Sequence, residues 1–200
     1  MSLDTYTNLK TEIANHLERD DLTSEIDTFI DLAEARHKRE VRIREMITRS
    51  DITVDSRQIS LPSGFLSMVS FRLLTDPVTV LQEINLYEMN RVRVATTGQP
   101  LYFSVTNEIE FDVTPDSSYS GEIIYYKEQT ALSGSTASND ILSRAPDLYL
   151  YGALLAAEPF IGDDERMQVW NSLYTSALSI NRNDQKLAGP LVSRVVGRGP

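Results

Sequence analysis

Hydrophobic positions recur at two different periods along this 200-residue chain, and the change of period divides it. Near the start Tyr6, Leu9, Ile13 and Leu17 fall three and four residues apart, which predicts a short helix over residues 4–19 capped by Asp4. RDDL interrupts that pattern. A longer helix is predicted from about Ser24 to Ile47, with Ser24 and Asp27 in capping-box positions. Its inner face is Ile26, Phe29, Ile30, Ala33, His37 and Val41. From Asp51 the period shortens. ITVDSRQISLP reads as two short strands about an SR turn, PSGF as a turn, and LSMVSFRLLTD and VTVLQEI as further strands. NLYEMNRV reads as a short helix, with Asn85 as cap and Glu88 three residues on. LYFSVTNEIEFDV is a hairpin whose carboxylates alternate outward, and GEIIYYKE is the last strand. Six or seven strands joined by short turns predict a largely antiparallel sheet.

Residues 129–139, QTALSGSTASN, form a small-polar loop, after which the helical period returns. Pro146 suits the first turn of a helix, and Pro159 ends or kinks the same helix. Asp163, Asp164 and Glu165 place acids at the start of the next one. There Met167, Trp170, Leu173, Tyr174, Ala177 and Leu178 make a one-sided apolar stripe. Three glycines and two prolines in KLAGPLVSRVVGRGP argue against a long helix at the end. The fold class is therefore α+β. A helical bundle of residues 1–50 and 140–184 carries an inserted antiparallel β domain, residues 51–139, and an extended tail over 185–200.

Composition narrows the chemistry. A chain of this length buries roughly 70% of its unfolded surface, so its core needs no disulfide or metal. There are no cysteines, which excludes thiol catalysis and fits synthesis in a reducing cytoplasm. MSLDTYTNLK lacks the pattern of a signal peptide, and no segment approaches a membrane span of about 20 apolar residues. A soluble protein without membrane contact is expected. The net charge of −10 argues against a general nucleic-acid binder.

The charge is uneven. Arg36 to Arg49 holds six basic and two acidic side chains, and Lys186, Arg194 and Arg198 close the chain with no acid among the final sixteen residues. The pairs Glu34–Lys38, Glu40–Arg44 and Glu45–Arg49 each set a base four residues after a Glu, so a solvated helix end accounts for the arginine cluster. A contact strip for an acidic neighbour or a phosphate backbone is the functional alternative. No phosphate-binding glycine loop, nucleophile elbow or zinc helix motif occurs. His37 on an apolar face reads as a packed side chain. Asp20/Asp21 and Asp163/Asp164 read as loop and cap residues before cation ligands. Catalytic, cofactor and metal residues are expected to be none.

One helix has no polar side. Leu148, Tyr149, Leu150, Tyr151, Leu154 and Leu155 cover every azimuth, with Gly152, Ala153, Ala156 and Ala157 between them. It is either the central helix of its own domain, or it packs at home on one side and on a neighbouring subunit on the other. Four helices cover such a segment thinly, which favours the second expectation. In the tail Leu191, Val192, Val195 and Val196 have no local structural context and suit ordering on a partner.

These same residues carry a likeness. YTNLKTEIANHLERDDLTSEIDTFIDLAEARHKREVRIREM and, much later, ILSRAPDLYLYGALLAAEPFIGDDERMQVWNSLY resemble the head-to-tail adaptor (connector) proteins of tailed bacteriophages. DLAEAR, RIREM and APDLYLYGALL…DDER carry it together, while LPSGFL, TGQPLYF and GEIIYYKEQTALS match only in general pattern. The resemblance implies a structural virion protein of the tail or neck region, assembling as twelvefold rings beneath the portal. It implies a lumen that extends the DNA channel without binding DNA specifically, and a surface that docks tail or nozzle proteins. It transfers no catalytic residue and no cofactor. On this reading Arg36, Arg39, Arg42, Arg44, Leu150, Tyr151, Leu154, Lys186, Leu191, Val192, Arg194 and Val195 are the expected subunit or portal contacts. A stopper or tail-completion ring shares the same physics, and a nucleic-acid-processing enzyme is the rival from another class.

Overall fold

The computed structural model describes residues 3–162 and 165–188. The chain divides into two compact units, residues 47–128 and the remainder on either side of them.

In the first unit α1 (Tyr6–Leu17) is capped by Thr5, whose hydroxyl accepts from the Asn8 N–H at 3.3 Å; the expected cap, Asp4, instead accepts from the Asn8 side chain. A 3-10 turn (Asp20–Glu25) leads into α2 (Ile26–Glu40) without a side-chain cap, so Ser24 lies in the turn and forms no capping box. The predicted inner face is buried throughout. The helix ends seven residues before the expected Ile47. Val41 and Ile43 are both buried while Arg42 between them is not, an alternation that belongs to extended chain. A 3-10 turn (Arg44–Met46) then delivers the chain to the second unit.

After that unit come α4 (Asp140–Arg144), capped by Asn139, then α5 (Pro146–Ala156) with proline in its first turn. Next are the short α6 (Glu158–Ile161) and α7 (Arg166–Ala188). α7 carries helix through residues 185–188, where the tail was expected to begin; Leu191 onward lies outside the described residues. The loop 129–139, expected in the β domain, belongs to the helical unit. Its Ala137 carbonyl accepts from the Tyr6 N–H at 2.7 Å, and Leu132 is buried. No helix among the described residues is long and apolar enough to cross a membrane.

The second unit holds β1 (Ile47–Val54), β2 (Gln58–Ser60), β3 (Phe65–Leu73), β4 (Thr79–Glu83) and α3 (Leu86–Val92), then β5 (Thr97–Gly98), β6 (Tyr102–Val105), β7 (Glu108–Phe111), β8 (Thr114–Pro115) and β9 (Tyr119–Lys127). Seven strands form a sheet in the order β1-β9-β3-β4-β6-β7-β2, and β5 pairs with β8. β1 and β2, read as neighbours about a turn, are not partners: β1 pairs with β9 and β2 with β7. The sheet is mixed, because β4 and β6 run parallel. Two parallel neighbours need a crossover, and α3, capped by Asn85 as expected, supplies it.

Inside the sheet's core Phe71 meets Phe103 and Phe111 edge to face, with centroids 5.4 and 5.7 Å apart. Gly121 makes room for that stack, since a Cβ there would sit 2.9 Å from the Phe71 ring. The hairpin carboxylates do not all point outward. Glu110 and Asp112 are buried; Glu110 pairs with Arg93, and Asp112 accepts from the backbone N–H groups of Leu101 and Tyr102 at 3.1 and 3.2 Å. The crossover leaves those N–H groups needing an acceptor, and a buried carboxylate answers it.

Candidate functional site

The apolar helix is central to its own unit. α5 packs against α1, α2, α4, α6 and α7. Leu154 is fully buried and Leu150 is 5% exposed, while Tyr151 is half-buried. Neither leucine therefore needs a second subunit to cover it, and the expectation of an open flank fails at both. Close approach makes this coverage possible: a Cβ on Gly152 would lie 3.2 Å from the Ala33 methyl on α2 and 3.4 Å from the Tyr174 ring on α7.

Two polar side chains of α2 enter this core. Glu34 accepts from the Leu132 N–H at 2.7 Å and the Tyr149 hydroxyl at 2.9 Å, tying α2 to α5 and to the polar loop. Burial pushes its carboxyl pKa up, against the pull of those two donors. The sequence pairing of Glu34 with Lys38 missed this inward turn. His37 donates from Nε2 to the Leu148 carbonyl at 3.2 Å, edge-on to Tyr149, and burial lowers its pKa to about 4. Because a carbonyl only accepts, the proton of the neutral ring sits on Nε2, leaving Nδ1 buried without a partner among the described residues. His37 is a packed side chain.

The arginines expected as one strip do four different things. Arg36 bonds Glu40 at 3.1 Å and lies 4.0 Å over the Tyr174 ring, so it is committed within its own unit. Arg39 is exposed and has no ion-pair partner among the described residues. Arg42 donates to the Lys38 and Val41 carbonyls at 3.0 and 2.7 Å, closing the end of α2. Arg44, beyond the helix, pairs with Glu45 at 3.0 Å. Lys186 lies on α7, and Leu191, Val192, Arg194 and Val195 fall outside the described residues.

The surfaces that do lack cover are elsewhere. α7 buries Trp170, Tyr174, Ala177 and Leu178 against its unit, yet Val169, Leu173 and Ile180 on another face are 58, 41 and 61% exposed. Residues 167–181 contain no charged side chain. An exposed helix face without charges has the composition of an interface core. This signal was legible, because 169, 173 and 180 keep a helical spacing of their own, but the stronger inward stripe hid it. In the sheet unit, Leu74, Val78, Val80, Leu86, Tyr87 and Leu101 are exposed around β4 and α3. A groove of about 540 Å³ beside α2, α5 and α7 has Leu32, Leu155, Ala156 and Met167 in its wall and Arg36 and Arg39 at its side.

Among the described residues no three His, Asp or Glu side chains are grouped to hold a metal ion. The chain is an α+β protein with uncovered apolar surfaces on α7 and around β4 and α3. The family comparison names the kind: the model of the SU10 adaptor protein family matches residues 4–194, and the chain belongs to that family. It is a bacteriophage structural adaptor, a virion component of a family that is non-enzymatic in general. No curated protein matches the sequence.

Proposed function

We propose that this chain is a head-to-tail adaptor: copies close into a ring of about twelve beneath the portal, extend the DNA channel and dock tail or nozzle proteins. The family supports the adaptor role. The observation that carries the ring is the uncharged outer face of α7 with Val169, Leu173 and Ile180. A ring contact is heterologous, so each protomer needs two different sticky surfaces. The outer face of α7 supplies one, and the exposed set around β4 and α3 supplies the other. The role first given to Leu150 and Leu154 passes to these residues.

Net charge adds a functional constraint. DNA carries one negative charge per about 1.7 Å of axis, so a mostly acidic protomer gives a lumen that does not grip it. Of the basic side chains on α2, Arg39, exposed and without an ion-pair partner among the described residues, serves a subunit or portal contact. Electron microscopy of the purified protein mixed with its portal tests the reading. Rings seated on the portal are expected, and fewer of them in the Arg39→Glu variant. Rings that bind only a tail-side protein would make it a stopper instead, and absence of any ring would overturn the assignment.

A further inference from the structure

A second groove, of about 520 Å³, runs beside α1 in the helical unit. Tyr6, Ala14, Ile26 and the Lys10 stem give it an apolar wall, with Thr7, Thr11, Asn15 and Thr23 as its polar members. Its surroundings are acidic. Between Asp4 and Asp31 the chain carries eight acidic and two basic residues. Both bases are already matched, Lys10 with Asp27 at 2.6 Å and Arg19 with Asp21 at 2.6 Å. The groove thus presents apolar depth with the Asp27 carboxylate against its wall, within an acidic stretch of the chain. Burial first, and then the Asp27 carboxylate that accepts its hydroxyl proton at 2.8 Å, raise the Tyr6 pKa, with Asp31 and Glu34 adding to the effect.

Only one stretch of the chain has the inverse chemistry. Residues 186–200 combine Leu191, Val192, Val195 and Val196 with Lys186, Arg194 and Arg198 and contain no acid. We propose that the groove beside α1 receives the Leu191–Val196 segment of a neighbouring copy of this chain, valines in the groove and arginines against its acidic surroundings. The neighbour, not the same copy, is the source for a reason of length. α7 starts at the C-terminal end of α1, where Arg166 donates to the His16 carbonyl at 2.9 Å. Its 23 residues then carry the chain about 33 Å away. The eight residues from Ala188 to Val196 span at most about 28 Å, which leaves a copy's own segment no slack to lie along its own groove.

This arrangement rests on the reading that copies stand side by side, and it assigns the tail a place in the wall between them. It also gives the acidic first thirty residues a use beyond solubility.

Absence of native cysteine makes the test clean. Full-length Thr11→Cys and Val195→Cys proteins are mixed under mild oxidation and run without reductant; Ala14→Cys with Val192→Cys is the second pair. A disulfide-linked dimer is expected from each mixture and not from either protein alone. Adding Arg194→Glu and Arg198→Glu to the tail partner should lower its yield by roughly fivefold, as two exposed ion pairs would. Asp31→Arg in the groove partner should restore part of it. No cross-link in either mixture, a cross-link indifferent to charge, or an intramolecular one in the doubly substituted chain would each overturn the proposal. Rings on the portal without this cross-link would leave the adaptor reading standing and remove only the tail site.

Discussion

Glu34 and His37 are three residues apart on α2, both inside the same core, and they respond to acid in opposite directions. His37 is held neutral by burial with a pKa near 4, whereas the unfolded chain takes up its proton near 6.5. Between those values the unfolded state binds more protons, so stability falls as pH drops, by up to about 3 kcal/mol at pH 4. Glu34 has a raised pKa, so its folded form protonates before the unfolded one and offsets part of that fall. Urea unfolding between pH 7 and 4 should therefore show a loss that flattens in His37→Gln and steepens in Glu34→Gln. A His37→Gln profile as steep as the native one would remove His37 as the cause. His37 was legible in the sequence as a packed residue by its place on the apolar stripe. Glu34 was not, since its partners lie 98 and 115 residues away.

Helix by helix, the useful contrast is between α5 and α7. α5 is apolar all round because five other helices surround it. α7 has polar residues on its surface yet leaves an apolar stripe bare. Leu154→Ala should cost about 2–5 kcal/mol in the isolated protein, as for any fully buried leucine. Gly152→Val should be of similar order or worse, because even a Cβ there presses on Ala33. Thermal unfolding of both variants checks this. By contrast Val169→Ser, Leu173→Ser and Ile180→Ser should each change monomer stability by about 0.5 kcal/mol or less while together abolishing rings on the portal. If the triple variant still forms rings, the outer face of α7 is not the contact.

On the scale of the whole chain, residues 47–128 are an insertion whose ends meet. β1 and β9 pair along their length, from Ile47 opposite Tyr126 to Val54 opposite Tyr119, so the chain leaves and re-enters the helical unit at adjacent points. Every strand pair and the whole aromatic core of the sheet lie within these residues. A fragment spanning 47–128 should fold alone, with β-type circular dichroism and a cooperative urea transition. A fragment that stays unfolded would show that the sheet depends on the helices for its stability.

The chain by itself settled what depends on neighbours in sequence: the inner stripe of α2, the Asn85 cap, the 102–111 hairpin, proline at the start of α5, and the change of period that separates helices from strands. Local propensity and periodicity are enough for these, because each is decided within one or two turns. Tertiary structure decided the rest. Strand order, the parallel β4–β6 pair, the inward turn of Glu34, Glu110 and Asp112, and the end of α2 at Glu40 all depend on partners distant along the chain. It also decided which apolar helix is covered. Hydrophobicity states only that a surface must be buried, and the number of helices that pack around it determines whether its own unit can do so.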